Sequence, residues 1–502
     1  MLVDVDKGLE AGTRRHDTVL IGLALAGIAL LAVLTASYLS TDLNYDEAVY
    51  LTLARKIVDT GLPLRRSFDD FTQFTLFRDS PPLAIYVAAV TQRFFPGDDT
   101  PTRLVHAALF VLPTYLLVWL VSWRTYGPLA GLMSVAALLS SGNYVNDTQY
   151  VQMDVPLGLF ALIALVCFER ACVDSARARR WALLAGFALA AASWTKFQSI
   201  CIPGAVALFT IYAVRTEGAS AIKRLALPFA WQVAAGAAGI GALVVYYMAF
   251  GTGSDIADSG ASNLRRMLVF GLGPVTTFRA MLDACTRCVR WLGPVFVVAA
   301  FLPVLQGRKR DLSIVLAAYV GLTLAFNVIV FNMPGSGSYY LLSAVPAGCV
   351  LAGAAASSVA QALTQRHAFA VLGLAAVVQF LSVPPRIYMP PYVNASRAAA
   401  GYIAAADQPQ AGVLATTRAI EFYAGNPVSV IRHTSKDVLL DRLAGTGPDN
   451  VGFVVVPRSG SLVGTESFRG EWEQMLRRHF VEADVKVPGF IVYRRDTGGE
   501  SR

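Results

Sequence analysis

The chain has 502 residues, 55% of them hydrophobic and only 15% charged. A mean hydropathy of +0.52 over that length is the composition of an integral membrane protein and excludes a soluble globular enzyme. The net charge of +8 is carried by short basic clusters between apolar runs, the pattern of cytoplasmic loops, which excludes nucleic acid as a partner.

Residues 19–39 are the first apolar run, of spanning length at about 20 residues. The run is longer than most signal-peptide cores and reads as an uncleaved signal anchor. Lys7, Arg14 and Arg15 precede it and place the N-terminus in the cytoplasm. A long external loop, 41–102, follows. Within it, 46–60 carries an apolar stripe of Val49, Tyr50, Leu53, Ala54, Ile57 and Val58, opposed by Thr52, Arg55, Lys56 and Asp59. That is a helix lying in the interface plane, ended by Gly61 and Pro63. Residues 82–95 are apolar but too short to span, and read as a second interfacial helix begun by Ser80 and Pro81.

Ten further spans are expected at about 103–123, 128–142, 155–171, 181–195, 199–214, 226–250, 291–306, 312–331, 341–360 and 368–384. The total is about eleven transmembrane helices, with a long external loop at 251–289. The assignment puts Arg124, Arg177, Arg179, Arg180, Arg215, Lys223, Arg224 and 308–310 inside, as the positive-inside rule requires. If 82–95 crossed the membrane, the asymmetry would invert. Near residue 392 the composition shifts to short apolar runs at 412–416, 428–432, 451–456 and 489–493, with helical patterns at 437–444 and 471–480. The organisation is therefore a membrane domain, 1–390, and a small external α/β domain, 391–502.

Six cysteines in a chain of this length make no disulfide framework. Cys167, Cys172, Cys201 and Cys349 lie in or beside apolar runs as inert thiols. Cys285 and Cys288 read as ordinary loop cysteines ahead of a local disulfide or a redox pair.

Reactive side chains gather on the external side: Asp46 and Glu47, Arg78 and Asp79, Asp147 and Asp154, Lys196, and Tyr339 with Tyr340. A carboxylate serves as a general base, and a cation at the lipid surface holds a phosphate. Together they suit a reaction whose leaving group is a lipid-linked phosphate. Each residue also has a plainer reading. Asp46 and Asp154 stand where helix N-caps belong, Lys196 where a span-end lysine snorkels, and the tyrosines where interfacial aromatics sit.

Asn44-Tyr45-Asp46-Glu47 after a first span, then Asp79-Ser80-Pro81-Pro82-Leu83, resembles the first external loop of GT-C glycosyltransferases. The likeness is to bacterial proteins similar to protein O-mannosyltransferases, lipid A aminoarabinose transferases and rhizobial galacturonosyltransferases. Asp154-Val155-Pro156-Leu157 is similar to their second acidic motif. Thr195-Lys196-Phe197 is similar to a later Thr-Lys motif, and 339–346 to a Tyr-Leu-Leu segment; the likeness covers about 18–360. Two departures are visible: Asp79 and Ser80 separate Arg78 from Pro81-Pro82, and 144–150 holds no arginine.

The resemblance implies a polyprenyl-phosphate sugar donor, an envelope acceptor (lipid A or lipopolysaccharide, glycan or protein) and inverting displacement on the periplasmic side of the inner membrane. It implies Asp46 as base, Glu47 as its catalytic neighbour or a metal or acceptor ligand, and Asp154 positioning the acceptor or base. Arg78 and Lys196 would hold the donor phosphate, and Tyr45, Asp79, Asp147, Tyr339 and Tyr340 the substrates. The cofactor stays unknown. Some relatives bind a divalent metal through Glu and His, and His106 is the one histidine read near the external face, so no metal ligand is assigned. The rival readings are a secondary transporter or lipid flippase, disfavoured by the absence of paired halves, and a non-catalytic receptor. The sugar, the acceptor and the oligomeric state are not encoded legibly.

Overall fold

The computed structural model describes residues 3–36, 39, 41–66, 73–77, 80–250, 282–283, 285–290, 292–305, 311–330, 338–363, 365–383, 395–406, 411–431, 434, 436–445, 451–458 and 469–496. The chain begins with α1 (Val3–Ala36), α2 (Tyr45–Thr60), a hairpin of β1 (Leu64–Arg66) and β2 (Phe74–Leu76), and α3 (Leu83–Phe94). Then come α4 (Thr100–His106), α5 (Leu112–Tyr126), α6 (Pro128–Ser140), α7 (Gly142–Asp147), α8 (Asp154–Val173), α9 (Ala178–Ser193), α10 (Cys201–Glu217) and α11 (Ala219–Phe250). The membrane part ends with α12 (Pro294–Leu305), α13 (Asp311–Val330), α14 (Val345–Ala362) and α15 (Gln365–Ser382). The C-terminal part holds α16 (Ala395–Ala405), β3 (Gly412–Ala415), α17 (Ala419–Ala424), β4 (Val428–Val430), α18 (Lys436–Ala444), β5 (Val451–Pro457), α19 (Arg469–His479), β6 (Phe480–Glu482) and β7 (Phe490–Arg495).

Over their described residues the eleven runs read as spans are mainly helical, the run at 103–123 crossing α4, a π-helical turn at Ala107–Val111 and α5. Six segments among the described residues are long and apolar enough to cross a membrane: Asp17–Ala36, Thr100–Tyr126, Asp154–Val173, Phe197–Glu217, Ala219–Phe250 and Leu341–Ala362. Both helices expected in the first external loop are present, as α2 and α3. The loop 251–281 lies outside the described residues.

The chain divides into two compact units. The first comprises Met1–Ser37, Arg78–Ala84 and His106–Ile387. Its helices approach closely through small residues, the usual device where lipid removes the hydrophobic drive for association. A Cβ on Gly239 of α11 would stand 2.7 Å from the Cβ of Ala190 on α9. That bare surface lets the Trp194 indole N–H reach the Gly239 carbonyl at 2.9 Å.

The second unit comprises Tyr38–Phe77, Ile85–Val105 and Tyr388–Arg502, so most of the first external loop packs with the C-terminal part. Its five-stranded sheet has the order β4-β3-β5-β7-β6. β3 pairs in parallel with β4 and β5, and β7 antiparallel with β5 and β6. Parallel neighbours need crossover connections, which α17 and α18 supply. β5 is an unbroken apolar run because both faces are covered. Phe453 and Val455 join Ile403 of α16 in one core layer, and Val454 joins Leu439 and Trp472 in the other.

The four expected strands and both expected helices of this domain are present, and the structure adds α16, α17 and the edge strand β6. Arg66 and Arg418 flank the buried Glu421 of α17, at 3.7 and 3.9 Å, and Arg55 of α2 donates to the Phe422 carbonyl.

Candidate active site

In the first unit, four of the sequence motifs come together. α9 ends at Ser193, and the chain turns through Trp194 and Thr195 before a 3-10 turn at Phe197–Ile200. Lys196 stands extended at that break (φ −160, ψ 145), so its side chain leaves the helix axis. Its Nζ donates to Asp154 Oδ2 at 2.6 Å. Asp154 is the first residue of α8 and only 1% exposed, and Lys196 is 7% exposed. The ion pair is thus nearly desolvated, which holds both charges only while they stay together.

The Leu83 backbone N–H donates to the Trp194 carbonyl at 2.9 Å, which fastens the end of the Ser80-Pro81-Pro82-Leu83 motif to the lysine turn. One turn into α8, Gly158 lets the segment Ser338–Ala344 approach. A Cβ there would stand 3.2 Å from both the Ser343 carbonyl oxygen and the Pro346 Cγ. Asp154 Oδ1 and Ser343 Oγ are buried with no hydrogen-bond partner among the described residues. The cap reading of Asp154 is not realised, since Met153 occupies the cap position of α8.

In the second unit, Asn44 rather than Asp46 caps α2. Its Oδ1 accepts from the Glu47 N–H at 2.8 Å. Asp46 sits half-buried in the first turn, a position whose helix dipole favours a carboxylate. Glu47 is fully buried, and its two oxygens accept from Arg103 Nε and Nη2 at 2.8 and 2.7 Å, a bidentate pair. Arg103 also donates to the Thr41 carbonyl at 2.8 Å and stands 3.3 Å from Asp99 Oδ2. Asp99 pairs on its other oxygen with Arg397 of α16, and Asp42 Oδ2 accepts from the Ser396 N–H at 2.9 Å. Burial pushes the carboxyls of Asp42 and Asp99 above the usual range, against the pull of Arg397 on Asp42 and of Arg103 and Arg397 on Asp99.

Tyr45 packs on the core layer that holds Ile403 and Phe453. Asp147 ends α7 and is half-buried. Arg78 and Asp79 lie outside the described residues, as do the side chains of Tyr339 and Tyr340, whose backbones fall in the 3-10 segment Ser338–Ala344. His106 is buried against the Phe110 ring, 5.2 Å between centroids. Among the described residues no group of three His, Cys, Asp or Glu side chains is placed to hold a metal ion.

Sequence reasoning missed Arg103, Asp99, Asp42 and Arg397. The one available signal was a lone arginine opening an apolar run, a place already explained as a span end.

Residues 79–250, which include Asp154 and Lys196, match the family model for dolichyl-phosphate-mannose-protein mannosyltransferases. The fold is similar to that of ArnT from Cupriavidus metallidurans, at 14% identity and a TM-score of 0.60, covering 95% of this chain and 98% of that one. The chain has the ArnT fold.

The same ArnT bound to undecaprenyl phosphate aligns with this chain at a TM-score of 0.59 and 14% identity, with the same coverage of 95% and 98%. The Archaeoglobus fulgidus oligosaccharyltransferase, solved with a tethered acceptor peptide, aligns at 0.57 and 12% identity over 95% of this chain and 74% of its own. A comparison with curated protein sequences gives no match. The multi-pass fold and the small sheet in its C-terminal part, both expected from the sequence, are present.

Proposed function

We propose that this protein is a glycosyltransferase that moves a sugar from a polyprenyl-phosphate donor to a hydroxyl of an envelope acceptor, with inversion, on the periplasmic face of the inner membrane. The observation that carries the reading is the buried pair of Lys196 and Asp154. An ammonium at the mouth of a membrane helix, held in place by a carboxylate, suits a lipid-borne phosphate. Neighbours of this fold were solved with undecaprenyl phosphate and with dolichol-phosphate, which supports a lipid-linked donor.

The acceptor oxygen attacks the anomeric carbon as the carbon–oxygen bond to phosphate breaks. The leaving group departs as a polyprenyl phosphate monoester, taking the bonding pair. The donor phosphodiester bears one negative charge and the departing monoester a second, and Lys196, with Arg78, stabilises that developing charge. Asp46, in the first turn of α2 with the cap position held by Asn44, receives the proton of the acceptor hydroxyl. Asp154 orients Lys196, and Tyr45, Asp79, Asp147, Tyr339 and Tyr340 contact the substrates.

The test is Lys196→Gln in a lipid bilayer. Release of polyprenyl phosphate falls about 10²–10³-fold, the usual loss for one transition-state donor. Undiminished release by a folded variant would overturn the assignment.

A further inference from the structure

We infer that Arg103 is the positioning residue of the turn that carries Asp46, and that the C-terminal domain takes part in catalysis through it. The inference rests on the reading of Asp46 as base. Arg103 is 2% exposed, and its guanidinium grips three places at once. It forks onto Glu47, the residue after Asp46. It also donates to the carbonyls of Leu39, Thr41 and Asp42, the strand of chain that leads into the Asn44 cap. Its third grip is Asp99, at the start of its own helix.

Both ends of the α2 entry are thus referred to one rigid planar group, and a planar fork fixes orientation as well as distance. The network then continues into the C-terminal domain. Asp99 pairs with Arg397, Asp42 accepts from the Ser396 N–H, and Arg397 lies over the Tyr423 ring at 5.0 Å. Ser396 and Arg397 open α16, whose Ala399, Ala400 and Ile403 are embedded in the sheet's core. The orientation of α2 is therefore set from the sheet, through α16 and Asp99, to Arg103 and Glu47.

The reaction constrains such a residue in one particular way. A base displaced by about 1 Å costs roughly 10²-fold in rate, while a donor held by Lys196 binds as before. Arg103→Lys keeps the charge but loses the fork, Glu47→Gln keeps the shape but loses the ion pair, and Arg397→Gln loosens the link from a partly exposed position. The experiment measures kcat, donor KM and thermal unfolding for these three, for the Arg103→Lys/Glu47→Gln double variant, and for Asp46→Asn.

The expected result is a kcat about 10²-fold lower for Arg103→Lys and for Glu47→Gln, with donor KM unchanged. Arg397→Gln gives a smaller loss of the same kind. The double variant is no worse than either single one, because both remove one unit. If Arg103→Lys does not fold, Arg397→Gln carries the test by the same split. Wild-type kcat in folded Arg103→Lys or Arg397→Gln, with Asp46→Asn inactive, overturns the positioning role and leaves the base standing. An active Asp46→Asn overturns both.

Discussion

Lys196 and Asp154 make a pair whose stability and activity effects separate cleanly. Removing one partner of a desolvated ion pair leaves a buried charge, at a cost of about 3–5 kcal/mol. Replacing both by apolar side chains of similar volume is close to neutral. Lys196→Met is therefore expected to lower the unfolding temperature markedly, and Lys196→Met/Asp154→Leu to recover most of it while remaining inactive. Thermal unfolding in detergent or nanodiscs checks this; a stable single variant would contradict the burial of the pair.

Both residues were legible in the sequence as individuals, because a charge beside an apolar run needs a reason. Their contact was not, since residues 42 positions apart meet only through helix packing. The cap, the plainer reading of Asp46, falls to Asn44 for a local reason. Asn44 caps equally well and sits two residues earlier, a choice that only the backbone geometry resolves.

The approach of the Ser338–Ala344 segment to α8 depends on the missing side chain at Gly158. Overpacking such a contact costs about 1–3 kcal/mol. The neighbours here are Ser343 backbone and a proline ring, which yield little. Gly158→Val is expected to lower stability by that amount and to reduce turnover, because the displaced segment lies one turn from Asp154. Unfolding and turnover assays on the same sample check both effects. A fully stable, active variant would contradict the close approach.

Long apolar helices and the buried strand β5 were readable because periodicity accumulates over many residues. The hairpin of β1 and β2 and the edge strand β6 were not. Each has three residues, too few to show a period, and the partners that define them are set by the fold.

Across the whole molecule, the second unit carries a pH signature. Burial raises the Asp42 carboxyl above its ordinary value of about 3.8. A raised folded-state pKa means that its stabilising contribution is complete below the unfolded value and is lost as pH rises through the folded one. Asp42→Asn keeps an acceptor for the Ser396 N–H without the titration. Its stability is therefore expected to fall less than wild type between about pH 4 and neutrality. Parallel melting curves across that range check this, and identical slopes would contradict it.

The order of motifs along the chain was legible, and it pointed to the fold that the structure has. What escaped was the grouping of the first external loop with the C-terminal part, because the charges that join them are far apart in sequence and individually unremarkable.

The account rests above all on a lipid-linked phosphate as leaving group. The purified enzyme in a bilayer, given a panel of polyprenyl-phosphate sugars and an envelope-lipid acceptor extract, tests it most directly. The predicted result is release of polyprenyl phosphate together with a product of inverted anomeric configuration. Transfer from a nucleotide sugar with the polyprenyl-phosphate sugars untouched, or a product of retained configuration, would contradict it.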